Sequence, residues 1–105
     1  MPLCAGISAR MAKYVLTVEA EFDIERIAYF GIDRFGELQA RDYNALLFRQ
    51  FARIASAPLR YPSAADIRPG YRRSVVGAHS IYFRILEGEV EIVRVLGRQD
   101  PFGAM

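Results

Sequence analysis

The stretch YRRSVVGAHSIYFRILEGEVEIVRVLG, Tyr71 to Gly97, decides how this chain folds. Three runs rich in Val, Ile, Phe and Tyr lie in it: Tyr71 to Val76, His79 to Leu86 and Glu89 to Leu96. These side chains suit a pleated, half-buried surface, so the runs read as strands. Only Gly77-Ala78 and Glu87-Gly88 separate them, and a two-residue loop with Gly first suits a hairpin turn because Gly accepts positive φ. Loops this short set the register, with Val76 opposite His79 and Leu86 opposite Glu89. Simple alternation then places Arg72, Ser74, Val76, His79, Ile81, Phe83, Ile85, Val90, Ile92, Arg94 and Leu96 on one face. The other face carries Tyr71, Arg73, Val75, Ser80, Tyr82, Arg84, Leu86, Glu89, Glu91, Val93 and Val95. The first, mostly aliphatic, is expected to pack on the rest of the chain. The second is expected to look outward, with Arg84 and Glu91 as a cross-strand ion pair.

Arg94 is out of place in this scheme. Alternation sets it among Ile81, Ile92 and Leu96, where an unpaired guanidinium is too costly to bury. Either a β-bulge re-aims it or it reaches an acid at the edge of the core, with Asp66 and Asp100 the first candidates.

Upstream, Tyr14 to Leu16 is a short fourth strand ending at Thr17, a good helix N-cap. Glu19, Glu21 and Asp23 follow, where negative charge suits the positive end of a helix dipole. The apolar stripe Ala20, Ile24, Ile27, Ala28, Gly31 predicts a helix that ends near Arg34 to Gly36, with Gly36 in the left-handed capping conformation. A second helix runs from Glu37 to about Ser56 on Tyr43, Leu46, Leu47, Phe51 and Ile54, with Pro58 as its stop. Phe22, Tyr29, Phe30 and Phe48 lie off the main stripes, so this hairpin has more apolar surface than one sheet face covers, which calls for a partner. Leu59 to Gly70 reads as a Pro-bounded loop without evident chemistry.

At 105 residues the chain is one domain with one core. No apolar run approaches a membrane span and the start lacks the order of a secretory signal, so the expected compartment is the cytoplasm. One cysteine, Cys4, and one histidine, His79, exclude a disulfide framework and a metal cluster, and no cofactor is expected. The basic residues are thirteen Arg and Lys13, but a net charge of +2 is too small for a sequence-specific nucleic-acid binder of the basic-stripe kind. His79, on the core face beside a turn, is expected to be packed or hydrogen-bonded rather than catalytic.

The order strand, helix pair, three meandering strands resembles the RelE/ParE toxin superfamily, and the wording is similar to ParE. Leu16-Thr17 with Glu19-Ala20-Glu21 carries the resemblance at the first helix, and Phe35-Gly36 with Gln39-Ala40 and Tyr43 at the second. It continues in Asp66-Ile67-Arg68-Pro69-Gly70-Tyr71-Arg72, Gly77-Ala78-His79 with Tyr82-Phe83-Arg84, and Val90 to Leu96 followed by Arg98 and Asp100-Pro101. Val18 stands where the family usually has Pro, and Gly97 where it often has His. The resemblance implies an α+β fold and the non-enzymatic toxin of a type II toxin–antitoxin module, which poisons DNA gyrase and is neutralised by a ParD-like antitoxin. A ribosome-dependent messenger-RNA nuclease of the RelE type, or a non-toxic antitoxin-binding relative, is the alternative. The antitoxin is expected on Phe22, Phe30, Phe48 and Phe51, with acidic tail residues meeting Arg72, Arg73 and Arg84. An extended stretch would run along the Tyr71 to Val76 edge, which stays open unless Tyr14 to Leu16 pairs there. Arg94, Arg98 and Asp100 are the target-contact candidates.

Residues 1–12 have neither a helix nor a strand period and are expected to be a disordered N-terminal extension of a toxin domain of residues 13–105. Their deletion should leave the melting temperature nearly unchanged in a thermal melt; a large fall would mean that they pack on the core.

Overall fold

The computed structural model describes residues 14–97. Thr17 ends β1 (Tyr14–Leu16) and starts α1 (Val18–Phe35) by accepting a hydrogen bond from the Ala20 amide on its hydroxyl oxygen, at 3.0 Å. The same hydroxyl donates to the Val93 carbonyl at 2.8 Å, and the Thr17 amide donates to the Ile92 carbonyl at 3.1 Å. One residue therefore caps the helix and ties its start to the last strand. Gly36 breaks the chain at φ 90° and α2 (Glu37–Ser56) follows. Its ψ of 163° is extended, not the left-handed cap expected from sequence, though the positive φ still favours glycine.

A single 3-10 turn (Pro58–Arg60) leads on to β2 (Arg72–Val76), β3 (His79–Leu86) and β4 (Glu89–Gly97). The sheet order is β1-β4-β3-β2, with β1 parallel to β4 and the rest antiparallel. The helix hairpin covers one face. There Ala20 and Ile24 of α1 and Leu47, Phe51 and Ile54 of α2 meet Ile81, Phe83, Val90, Ile92 and Val95, all buried. Each such aliphatic or aromatic side chain contributes roughly 1.5–3 kcal/mol by leaving water.

From Leu86↔Glu89 to Phe83↔Ile92 the register is the expected one. Between Tyr82 and Phe83 it shifts, so that Tyr82 pairs with Arg94 and Ile81 with Val95. The extra residue exchanges the faces at the end of β4: Val95 enters the helix-side core, and Leu96 joins Tyr82 and Ala64 in a second cluster on the far side. That far face does not simply look outward, because the connection folds back over it. Ala64 donates its amide to the Tyr71 carbonyl at 2.7 Å, Arg73 donates to the Pro62 carbonyl at 3.1 Å, and Tyr82 and Leu96 are buried beneath.

The bulge and an ion pair together account for Arg94. Its Nε and Nη2 donate to Oδ2 and Oδ1 of Asp23 at 2.8 and 3.0 Å, and the Val95 amide donates to the same Oδ2 at 2.9 Å. Arg26 adds a 3.3 Å contact one turn along α1. Asp23 is 2% exposed. The acid is thus neither Asp66, which is exposed on the connection, nor Asp100, which lies outside the described residues. Thr17 holds the first turns of α1 along β4, and at 1.5 Å per residue Asp23 arrives level with Val95.

Removing one partner of a buried pair leaves the other charge stranded, so Arg94→Ala should cost about 3–5 kcal/mol. Arg73→Ala, on an exposed side chain, should stay within about 0.5 kcal/mol. Urea unfolding measures both, and a double-mutant cycle with Asp23→Ala should show strong coupling to Arg94 alone.

Candidate interaction site

α1 and α2 approach closely at Gly31 and Ala40, where a Cβ on residue 31 would lie 3.2 Å from the Ala40 Cβ. Between the second half of α1, the first half of α2 and the β2–β3 turn lies a groove of about 260 Å³. Ile27, Phe30, Gly31, Phe35, Gln39, Ala40, Tyr43, Ala78 and His79 line it. Phe30 and Phe35 on its rim are 55% and 59% exposed, and the Arg34 guanidinium sits 4.8 Å over the Phe30 ring. Besides Gln39, the groove is polar where Tyr43 and His79 meet. There the Tyr43 hydroxyl lies 2.7 Å from His79 Nδ1 and 3.2 Å from the Val76 carbonyl. The phenol has one proton, so when it goes to the carbonyl, Nδ1–H of His79 donates to the phenol oxygen.

Gly77 completes this corner. Its φ of 56° suits the two-residue turn, and a Cβ there would stand 2.6 Å from the Tyr43 hydroxyl. Burial pushes the Tyr43 phenol above its ordinary pKa, an effect the hydrogen bond to the Ala78 backbone partly opposes; burial raises Tyr14 as well.

Among the described residues the lining contains no carboxylate, ammonium or guanidinium group. Cleaving a phosphodiester needs cations around the phosphate and a matched acid and base, and this groove offers one imidazole already engaged by a phenol. What it can receive is apolar side chains. Among the described residues no group of His, Cys, Asp and Glu could hold a metal, and no helix is long and apolar enough to cross a membrane.

The sequence-predicted residues divide sharply. Phe30 belongs to the groove. Phe22, 64% exposed, lies with Val18 and Tyr29 on the opposite, outward stripe of α1. Phe51 is a correction: it is fully buried, packing edge-on against Phe48 at 5.3 Å and tilted against Tyr14 at 5.5 Å, and has no surface for a partner. Phe48 is half-buried against the same core. Arg72 donates to the Tyr61 carbonyl at 2.6 Å and pins the connection, and Arg84 meets Glu91 at 2.6 Å as expected. Arg73 is exposed, and among the described residues it has no ion-pair partner. Arg94 is engaged by Asp23, while Arg98 and Asp100 lie outside the described residues. Ile27, Gly31 and Tyr43 were read from sequence as core positions, and Phe35 only as a neighbour of the helix break. The usable signal was the small pair Gly31 and Ala40 on facing helices, which lets the backbones converge and sets the end of the groove.

Fold and groove together define a small α+β protein with a mostly apolar groove open between its two helices and the β2–β3 turn. Residues 14–102 match the family described as "ParE toxin of type II toxin-antitoxin system, parDE", and the chain belongs to that family of non-enzymatic toxins. It is 35% identical over 86 residues to Toxin ParE1 of Mycobacterium tuberculosis (strain ATCC 25618 / H37Rv), covering 81% of this chain and 88% of that one. Toxin ParE1 of Caulobacter vibrioides (strain ATCC 19089 / CIP 103742 / CB 15) is also 35% identical over 86 residues, 82% of this chain and 88% of that one. Toxin ParE of Escherichia coli is 29% identical over 83 residues, 79% and 81% of the two chains. A solved structure, the chromosomal ParDE TA system from P. aeruginosa, superposes with a TM-score of 0.73 at 19% identity, over 83% of this chain and 96% of that one. That likeness confirms the strand, helix pair and three-strand order.

Tyr43 and Tyr14 hold their protons more tightly folded than unfolded, so their contribution is intact below the ordinary phenol value of 10.0 and is lost as pH rises through the folded values. Stability should therefore fall above that pH, and Tyr43→Phe should flatten part of the fall in urea titrations. Gly77→Ala should cost about 1–3 kcal/mol at neutral pH through backbone strain and its clash with Tyr43.

Proposed function

We propose that this protein arrests growth by poisoning DNA gyrase, stabilising the cleaved-DNA intermediate, and that a ParD-like antitoxin in the same cytoplasm neutralises it. The observation that carries the antitoxin half is the apolar groove with Phe30 and Phe35 standing exposed at its rim. An amphipathic helix from the antitoxin places its apolar face there, folding as it binds. An extended stretch adds to the outer edge of β2, where pairing to residues 62–64 stops at Arg73 and Val75 is 61% exposed. Arg73 beside that edge meets acidic residues of the tail. Phe22 and Tyr29 extend the contact around α1, and Phe51 takes no part.

The gyrase half rests on family membership, and it requires no catalytic group. With Arg94 engaged inside the fold, Arg98 and Asp100 remain as the target contacts. The toxin unit is residues 13–105. A ribosomal nuclease reading finds no support in the groove, whose described lining residues lack the charges that phosphoryl chemistry needs.

Purified protein added to gyrase and supercoiled DNA should accumulate linear, protein-trapped DNA, and prior addition of the cognate antitoxin should abolish it. Unchanged topology together with degraded messenger RNA in expressing cells would replace gyrase poisoning with nuclease action. For the antitoxin surface, Phe30→Ala should weaken binding by about 2 kcal/mol, roughly thirtyfold, as a buried aromatic anchor does. Hydrogen exchange should show protection on both helices and the β2 edge; protection confined to residues 59–70 would overturn this binding mode.

A further inference from the structure

The small net charge of +2 hides how the charges are distributed. From Val18 to Asp42 the chain holds seven acidic and three basic residues, whereas from Tyr43 to Val76 it holds six arginines and one acid, Asp66. The second set gathers along the β2 side of the molecule because α2, the connection and β2 are tied together there. The Gln50 side-chain nitrogen donates to the Tyr61 hydroxyl at 3.3 Å and to the Ser74 hydroxyl at 2.8 Å, and Arg72 donates to the Tyr61 carbonyl at 2.6 Å. Arg49 and Arg53 flank Gln50 on α2, Arg60 precedes Tyr61, and Arg73 stands between Arg72 and Ser74. These four are exposed and, among the described residues, none of them has an ion-pair partner.

Arg49 and Arg53 lie one turn apart, about 6 Å along the outer side of α2. Ser74 faces the helices, so Arg73 projects from the opposite side of β2. The basic surface therefore runs round the edge of the sheet from the helix layer to the far face. A peptide strand laid along β2 would meet Arg73 and leave Arg49 and Arg53 a layer away. A nucleic-acid duplex presents its phosphates as a preformed lattice, with about one negative charge per 1.7 Å of axis, and spans such a surface without first being ordered. Guanidinium groups suit it because they grip phosphate oxygens with two parallel donors. The two aromatic rings beside these arginines are already committed. Tyr61 stands edge-on against Phe83 at 5.9 Å with its hydroxyl bonded to Gln50, and Tyr71 packs against the Ala64, Tyr82 and Leu96 cluster. Single-stranded sites stack bases on free aromatic faces, so this surface fits the backbone of a duplex instead.

We propose that Arg49, Arg53, Arg60 and Arg73 form a sequence-independent binding surface for the phosphate backbone of duplex DNA. The cleaved-DNA intermediate invoked above contains such a duplex, so the toxin holds DNA as well as enzyme there; only this sentence rests on the function proposed above.

Full-length protein titrated into a fluorescein-labelled duplex of about 20 base pairs should raise its anisotropy, equally for two unrelated sequences. Four neutralised phosphates give a plot of log affinity against log salt with a slope of about −3 to −4, so binding should weaken roughly a hundredfold between about 50 and 200 mM salt. Arg49→Gln combined with Arg53→Gln should reduce the magnitude of that slope by about 2. Arg41→Gln combined with Arg84→Gln removes the same charge elsewhere on the surface and should leave the slope unchanged. No anisotropy change at about 50 mM salt overturns the proposal, as does an equal loss in the two double variants. Equal affinity for a polyglutamate competitor of matched charge also overturns it, since the surface would then be one for acidic peptides. If DNA binding behaves as expected and the unsubstituted protein traps no cleaved DNA on gyrase, the surface stands and it is the gyrase poisoning proposed above that fails.

Discussion

The buried carboxylate of Asp23 is the contact on which the arrangement of helix and sheet depends. It receives two hydrogen bonds from Arg94 and one from the Val95 amide, so a single side chain fixes the position of α1 along β4 and satisfies the strand beyond the end of the short β1. The bulge is part of the same arrangement. By setting Val93 and Arg94 against one partner residue it puts Val95 into the core and takes Arg94 out of it, opposite Tyr82, where its guanidinium still reaches Asp23. A guanidinium left without that acid would be a buried, uncompensated charge, and an acid left without the guanidinium would be the same.

That dependence reaches the groove. Because α1 is held parallel to β4 at its start, its second half comes to lie, among the described residues, beside α2, the β2–β3 turn and the first residue of β3. The aromatic side chains there cannot find a sheet face to cover. Phe30 and Phe35 stay at the surface as a result, and the space between the helices is filled at its base by the Tyr43–His79 contact rather than by packed aliphatic groups.

Much of the architecture was legible in the chain because it is written in short-range chemistry. Two-residue turns set the hairpin registers, Thr17 and the acidic residues after it mark the start of α1, and the apolar spacing of α2 marks its inward face. What alternation could not supply was the bulge: a one-residue shift leaves no mark on composition, and it moves Val95 and Leu96 to opposite faces from those expected. The partner of Arg94 was missed for a related reason. Asp23 sits on a helix face that reads as a dipole-complementing first turn, and only the placement of that helix against β4 makes its carboxylate a buried one. Phe51 was assigned to a binding surface although its spacing with Leu47 and Ile54 already marked it as core; Phe30 differs because it falls between the stripes.

The three-residue strand β1 has a consequence for when this protein becomes a folded toxin. It pairs only with β4, and the contacts that anchor α1 there join residues separated by 76 and 71 positions in the chain. Contacts of such long separation form late, because the intervening chain must be ordered before they repay its loss of freedom. During synthesis neither can form until Val93 and Arg94 have left the ribosome, well after the helix hairpin has emerged. Helix hairpin and complete fold are thus separated in time, and a nascent chain offers its apolar hairpin to solvent before it has the complete sheet.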